Sequence, residues 1–326
     1  MKESLGNLFP INRKGLVFIL TLLVIGANFC SYMQVYRMIH FSQGGLRTSK
    51  SEDLSWVDKV RLVFTGINIP RPENIKTPDS IGLNYDTFRI PSGKGAVNEV
   101  WEIHSQDSKK MVILFHGYAG KKSDLMDEAK EFHERGYEVW LVDFSGSGGS
   151  TGNETTVGCK EASEVASAFE EAGRKRPGSR IILFSHSMGS SAILRAIREY
   201  SLTPSAVVLE CPFDSLLSTV ENRFHLMGYP SFPFARLMVF WGGVQMGFDG
   251  FAYRPVEDAG ADRFPTLLLI GEKDDRVTVP QARSIYDRLS GPKKFVVVPG
   301  IGHRSYLAVE PSLWKKEVFG FLKESI

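Results

Sequence analysis

The pattern of apolar and polar positions divides the chain in two. Residues 15–36, GLVFILTLLVIGANFCSYMQVY, carry no charge, and 16–25 are apolar on every side of a helix. At ~1.5 Å per residue such a helix crosses a bilayer core of ~30 Å. A cleavable signal peptide is the alternative. It lacks a clean small-x-small site, since 27–29 read Ala-Asn-Phe, and Phe29 before Cys30 spoils a lipoprotein site. The expectation is an uncleaved anchor over residues 1–40. Lys2, Arg13 and Lys14 precede the run, and Arg37, Arg47 and Lys50 follow it. The tighter cluster in front favours a cytoplasmic N-terminus with the rest of the chain on the extracytoplasmic side.

Residues 41–80 are mixed, polar and proline-containing and read as a juxtamembrane linker with one short helix over 56–64. From residue 81 onward short apolar runs alternate with amphipathic stretches, the signal for a mostly parallel sheet covered by helices on both faces. Strands are expected at 100–103, 111–115, 137–142, 180–184, 206–209, 266–270 and 294–298. Several are unbroken apolar runs, as in strands buried on both faces. Helices are expected at 125–136 (capped by Ser123 and stopped at Gly136), 157–172, 188–200, 281–289 and 313–323. Residues 212–263 break the alternation and read as a cap inserted over the strand ends. Between Phe213 and Tyr253, ten of 41 residues are aromatic, against 11% in the whole chain.

Composition adds exclusions. The 326 residues are 43% apolar and 23% charged, an ordinary globular mixture. Lysine and arginine total 39 and aspartate and glutamate 37, a net charge of +2 with no basic excess for nucleic acid. Cys30, Cys159 and Cys211 have no paired spacing, so neither a disulfide framework nor a zinc site is expected. Cys211 reads as a buried small hydrophobe.

The chemistry lies at the strand ends. Leu183-Phe184-Ser185-His186-Ser187-Met188-Gly189 runs from a strand through a tight turn into a helix. A serine at such an elbow is held strained with its Oγ at the carboxyl edge of the sheet. Small residues two before and two after let strand and helix approach; here they are Ser185 and Gly189. Ser187 needs a base, and the base an orienting carboxylate. Asp274 follows the strand at 266–270 in Gly271-Glu272-Lys273-Asp274-Asp275, and His303 follows the last strand in Pro299-Gly300-Ile301-Gly302-His303. The glycines suggest a loop able to swing His303 between Asp274 and Ser187. Asp274 is preferred over Asp275 by its spacing from Gly271. Backbone donors for an oxyanion are expected from Met188, after the nucleophile, and from Tyr118 in His116-Gly117-Tyr118-Ala119-Gly120.

These pieces together resemble the α/β-hydrolase superfamily, in the branch of monoglyceride-lipase-like and serine-aminopeptidase-like hydrolases. The resemblance runs from about Gly82 to the C-terminus. It rests on H-G-Y-A-G at His116, D-F-S-G-S-G-G-S at Asp143, S-H-S-M-G at Ser185, P-F-D-S at Pro212, G-E-K-D at Gly271 and G-I-G-H at Gly300. Where the family usually has arginine and histidine in the second motif, this chain has Ser145 and Ser147. The resemblance implies an α/β-hydrolase fold, an acyl-serine mechanism, and no cofactor or metal. The expected activity is cleavage of a carboxylic ester or thioester from a small or lipid-derived substrate. An aminopeptidase, amidase or acyltransferase shares the same machinery, and a membrane-anchored scaffold without catalysis is the alternative of another class. Leu237, Met238 and Met246 with the cap aromatics point to an apolar pocket. Arg223 and Arg236 could instead mark an anionic substrate group. A chain starting near Gly44 is expected to be soluble and active.

Overall fold

Strands of unbroken apolar residues can only be satisfied by neighbours on both edges and cover on both faces, and the chain builds that arrangement around one sheet. The structure is a computed structural model, described here for residues 12–48, 55–106 and 108–326. Eight strands, β1 (Asp86–Ser92), β2 (Ala96–Ile103), β3 (Lys110–Phe115), β4 (Glu138–Val142), β5 (Arg180–His186), β6 (Ala206–Glu210), β7 (Thr266–Gly271) and β8 (Lys293–Val298), lie in the order β1-β2-β4-β3-β5-β6-β7-β8. β1 and β2 pair antiparallel, as do β2 and β4, and every other pair is parallel.

The helices are α1 (Arg13–Ile39), α2 (Trp56–Thr65), α3 (Met126–His133), α4 (Glu161–Lys175), α5 (Met188–Tyr200), α6 (Leu216–Leu226), α7 (Phe234–Met246), α8 (Pro255–Asp258), α9 (Val279–Arg288), α10 (Tyr306–Val309) and α11 (Pro311–Ser325). Side chains of β3 to β7 are almost wholly buried and form one core with α3, α4, α5, α9 and α11. The register brings Phe115 level with Ser185, His186 with Glu210, and Gly271 with Val298. The carboxyl ends of β3, β5, β6, β7 and β8 therefore form one edge, and the chemistry-bearing residues of the sequence lie along it.

Three local expectations differ from the structure. β1 is an edge strand containing Pro91, and its alternation is too irregular to read from sequence. Ser123 does not cap α3: it lies inside a 3-10 turn over Lys122–Leu125, begun by the Lys121 N–H donating to Asp124 Oδ2 at 3.1 Å. The helix expected from 157 starts at Glu161, because Val157 takes a left-handed φ of 59°. The buried Glu161 carboxylate ties that turn by accepting from the backbone N–H groups of Thr156 and Gly158, both at 2.9 Å.

α1 is long and apolar enough to span a membrane. Its first half is bare: Leu16, Val17, Phe18, Leu20, Leu23 and Val24 are all exposed. Its second half packs along α7, where Val35 and Ile39 are buried with Met238 and Met246. Trp241 Nε1 donates to Asn28 Oδ1 at 3.2 Å, and Gln245 Nε2 to the Tyr32 carbonyl at 3.1 Å. Beyond α1, the segment read as a linker also joins the body built on the sheet. The Phe41 N–H donates to the Asn153 carbonyl at 2.6 Å, Ser42 bridges Pro70, and the Arg71 guanidinium donates to the carbonyls of Gly148 and Gly152 at 2.8 and 3.1 Å. The helix expected at 56–64 is α2. Residues 1–11 and 49–54, which include Lys2 and Lys50 of the charge comparison, lie outside the described residues.

Residues 212–263 hold α6, α7 and α8 and no strand. The ten aromatics there divide by position. Phe213 and Tyr253 are buried, whereas Tyr229, Phe232, Phe234, Phe240 and Phe251 are exposed, so half of the set does not bury the segment on the sheet.

Candidate active site

Ser187 stands between β5 and α5 with φ 54° and ψ −116°, outside the relaxed regions for a residue with a Cβ. The surroundings enforce that turn. A Cβ on Gly189 would stand 2.8 Å from the Phe115 carbonyl oxygen and 2.9 Å from that of His116, so only glycine lets α5 start this close to β3. Ser185 replaces the usual first glycine without leaving an unpaired hydroxyl. Its Oγ donates to Ser190 Oγ at 2.9 Å, and Ser190 Oγ has the Glu210 carbonyl at 2.9 Å.

Three side chains expected to act together do meet. Ser187 Oγ lies 3.0 Å from His303 Nε2, and His303 Nδ1 lies 2.8 Å from Asp274 Oδ2. The other oxygen of Asp274 accepts from the backbone N–H groups of Arg276 and Val277, each at 2.9 Å, which fixes the carboxylate plane. Asp274 is buried and contacts His303, whereas Asp275 is exposed. The His303 loop is pinned rather than free to swing. Lys273 N–H donates to the Ile301 carbonyl at 2.8 Å, Gly271 N–H donates to Tyr306 Oη at 2.9 Å, and Ser305 Oγ donates to Glu128 Oε1 at 2.7 Å. A Cβ on Gly271 would lie 2.4 Å from the Ile301 carbonyl oxygen, which explains glycine there.

Electrostatics keep His303 basic. Burial opposes its charge, but Cys211 and Asp274 beside it outweigh burial and raise its pKa above the ordinary imidazole value. Burial likewise raises the Cys211 thiol, yet His186 and His303 reverse that and bring it to about 7. Cys211 is thus buried as expected, but its neighbours are two imidazoles rather than hydrocarbon alone. Its φ of 41° is a second strained position on the same edge. Sequence reasoning missed this neighbourhood because it joins the ends of β5, β6 and β8, far apart in the chain.

The loop after β3 lies against Ser187: a Cβ on Gly117 would be 3.3 Å from Ser187 Cβ. His116 braces that loop from inside. Its Nε2 accepts from the Phe144 N–H at 3.1 Å, which assigns the proton to Nδ1, 2.8 Å from the Gly117 carbonyl. Burial lowers its pKa and keeps it neutral. Lys122, wholly buried, ties the same loop to the end of β4 through Asp143 Oδ2 at 2.5 Å and to β2 through Glu99 Oε1 at 2.8 Å. Nothing in the sequence pattern marked this lysine as internal. Tyr118 Oη donates to the Met38 carbonyl in the last turn of α1 at 2.6 Å, so the end of the apolar helix touches the loop expected to supply an oxyanion donor. Met188 opens α5, whose first-turn N–H groups have no carbonyl partner within the helix. Arg223, on α6, is electrostatically in reach of Tyr118, Asp274 and Asp275, and burial followed by Arg276 lowers its pKa to about 10. Arg236 is exposed on α7.

A mostly parallel sheet with a strained serine after its fifth strand, and histidine and aspartate loops on the same edge, is the α/β-hydrolase fold. Residues 106–227 match the family model of the serine aminopeptidases, S33. The *Mycobacterium tuberculosis* protein Rv2307c is 24% identical over 310 residues, covering 95% of this chain and 94% of its own length. Mouse lysophosphatidylserine lipase ABHD12 is 22% identical over 273 residues, covering 73% of this chain and 65% of its own. The *Pyrococcus furiosus* esterase Pf2001 superposes with a TM-score of 0.67 at 24% identity, covering 79% of this chain and 97% of the esterase. These comparisons support a hydrolase.

Proposed function

We propose that this chain is a membrane-anchored serine hydrolase that cleaves carboxylic esters of lipid-like substrates through an acyl-Ser187 intermediate. The observation that carries the reading is the continuous bridge from Asp274 Oδ2 to His303 Nδ1 at 2.8 Å and from His303 Nε2 to Ser187 Oγ at 3.0 Å. His303 Nε2 takes the Ser187 proton as Oγ attacks the acyl carbon, and the Asp274 carboxylate stabilises the imidazolium. The tetrahedral oxyanion is met by the N–H groups of Tyr118 and Met188. Collapse expels the alcohol, which takes the proton from His303. Water, deprotonated by the same nitrogen, then attacks the acyl-serine and releases the acid. Each role uses this chain's own groups, and none calls for a metal or cofactor.

The substrate class rests on the apolar helix and cap. α1 holds the hydrolase body at a bilayer by span length, and the catalytic domain stands on the extracytoplasmic side by the charge comparison. The cap over 212–263 supplies apolar lining. Arg223 favours a second reading within the same chemistry, an ester that also carries an anionic group, because its charge faces Tyr118 and Asp274 from α6. The lipid named for mouse ABHD12, a lysophosphatidylserine, is of that kind. Thioesters and amides use the same steps.

The test is covalent labelling by a fluorophosphonate probe with Ser187→Ala as control, followed by a panel of p-nitrophenyl esters. Each methylene buried in an apolar pocket contributes up to ~0.8 kcal/mol, so kcat/KM is expected to rise from acetate through at least hexanoate. A profile that peaks at acetate overturns the lipid-like substrate. Loss of an anionic substrate's turnover in Arg223→Gln, with neutral esters unaffected, supports the second reading.

A further inference from the structure

Two imidazoles and one thiol meet at the sheet edge beside Ser187, and only one of the three has a part in the acyl chemistry. His186 ends β5, Cys211 follows β6 and His303 follows β8. One ligand atom of each lies within 4.8 Å of the others. Cys211 Sγ is 3.8 Å from His186 Nε2. In a tetrahedral zinc site with sulfur at ~2.3 Å and nitrogen at ~2.0 Å, the two ligands stand roughly 3.6 Å apart. That separation is close to the one observed, but Sγ is equally near His186 Nδ1, at 3.7 Å, so the imidazole must turn to bring Nε2 and the sulfur onto a shared ion.

The support around the imidazoles matches as well. Histidine ligands of zinc generally donate the other ring N–H to a carboxylate, which fixes the tautomer and raises basicity. His186 Nδ1 lies 3.1 Å from Glu210 Oε2, and His303 Nδ1 lies 2.8 Å from Asp274 Oδ2. Both histidines thus present Nε2 with a carboxylate behind Nδ1. Glu210 is itself held by Trp314 Nε1, which donates to its second oxygen at 2.6 Å. Cys211 is fully buried, whereas the His186 and His303 side chains keep 17% and 9% exposure, so solvent reaches the cluster through the imidazoles.

We propose that His186 Nε2, His303 Nε2 and Cys211 Sγ form an inhibitory binding site for a thiophilic divalent cation of the zinc class. Binding displaces the thiol proton to solvent and involves no redox change. A water or Ser187 Oγ completes four-coordination. The ion withdraws His303 Nε2 from Ser187 Oγ, so acyl transfer stops while it is bound. The inhibition rests on the reading of His303 as the base; the coordination does not.

Full-length protein is titrated with zinc chloride while p-nitrophenyl ester turnover is followed. Turnover falls at least ~10-fold at saturation and returns with chelator. Cys211→Ser, measured against its own zinc-free rate, moves the zinc midpoint upward at least ~10-fold. Cys211→Ala serves as a second variant should serine fold poorly. Cobalt(II) gives a readout independent of activity, a thiolate-to-cobalt charge-transfer band in the parent and in Ser187→Ala that is missing in both Cys211 variants. A parent that shows no such band overturns the site. Zinc inhibition with the same midpoint in the Cys211 variants also overturns it. A band in protein that has no hydrolase activity upholds the site and overturns the catalytic reading instead.

Discussion

The carboxyl edge of the sheet and the seam between α1 and α7 are held together by different physics. At the edge, every polar atom that matters has a short partner: Asp274 has three donors and His303 is bridged on both nitrogens. At the seam, contact is made by methionine, valine and aromatic side chains, with a few single hydrogen bonds to backbone or amide groups. The first arrangement fixes atoms to within tenths of an ångström. The second fixes a surface, and it leaves an open apolar groove of about 400 Å³ lined by Val24, Ile25, Asn28, Phe29, Tyr32 and Trp241. Damage at the edge should therefore abolish turnover without unfolding, and damage at the seam should weaken folding and trim turnover.

The sharpest test of the edge is its nucleophile. Ser187→Ala removes the atom proposed to form the acyl bond, and turnover should fall by on the order of 10⁶ while the melting temperature is nearly kept. Near-normal turnover in this variant would falsify the acyl-serine reading. Next is the carboxylate. Asp274→Asn leaves shape intact but favours the wrong His303 tautomer, a loss of on the order of 10⁴ in kcat. Asp275→Asn, at an exposed side chain, should change kcat less than ~3-fold. A reversed ranking moves the orienting role to Asp275.

The edge was the legible region. A strand, an elbow and glycines mark Ser187, and the spacing from Gly271 marks Asp274, because local steric demands leave local traces. The Phe115 and His116 carbonyls that exclude a side chain at 189 are one such demand. The antiparallel β1, the internal Lys122 and the Cys211 neighbourhood were not legible. Each depends on partners tens of residues away, and a lysine bound for the interior looks in sequence like any surface lysine. The seam was half legible: the apolarity of α1 is plain, but its docking on α7 is a tertiary fact.

Lys122 bears on both regions, since it locks the loop after β3 to Asp143. Lys122→Met leaves Asp143 buried without its counter-ion, and breaking such a pair costs about 3–5 kcal/mol. The expected result is a melting temperature lower by many degrees in thermal denaturation, with the remaining folded fraction still labelled by a fluorophosphonate. An unchanged melting temperature would show that the Asn74 amide and the backbone donors suffice for Asp143.

The seam itself is tested by cutting it. The sequence suggested that a chain starting near Gly44 is soluble and active, but its contacts argue otherwise. Removing α1 uncovers Met238, Met246, Val220 and Phe224, and deletes the Met38 carbonyl that anchors Tyr118. Such a chain should aggregate or melt lower than the full protein in detergent, and its kcat should fall even on water-soluble esters. Full activity in a monodisperse truncated protein would reduce α1 to a tether.

The smallest expected effect separates anchoring from positioning. Tyr118 Oη is the one hydrogen bond from the loop after β3 to α1 among the described residues, and Tyr118→Phe removes it without changing the ring. The Met38 carbonyl is only half-buried, so leaving it unpaired costs less than the ~1–3 kcal/mol of a fully buried group, and the loop recovers part of that by shifting. If that shift moves the Tyr118 N–H away from the oxyanion, kcat drops ~3–10-fold with KM unchanged, since a donor used only in the transition state does not alter ground-state binding. Gly242→Leu is the matching control. A Cβ at 242 already stands 3.2 Å from Val35 Cγ2, so a larger side chain pries α7 from α1 at a point away from the loop. It should lower the melting temperature and leave kcat within ~2-fold. If both variants lower stability and neither touches kcat, the end of α1 supports the fold alone; if Tyr118→Phe changes kcat by itself, the helix end sets the geometry of acyl transfer.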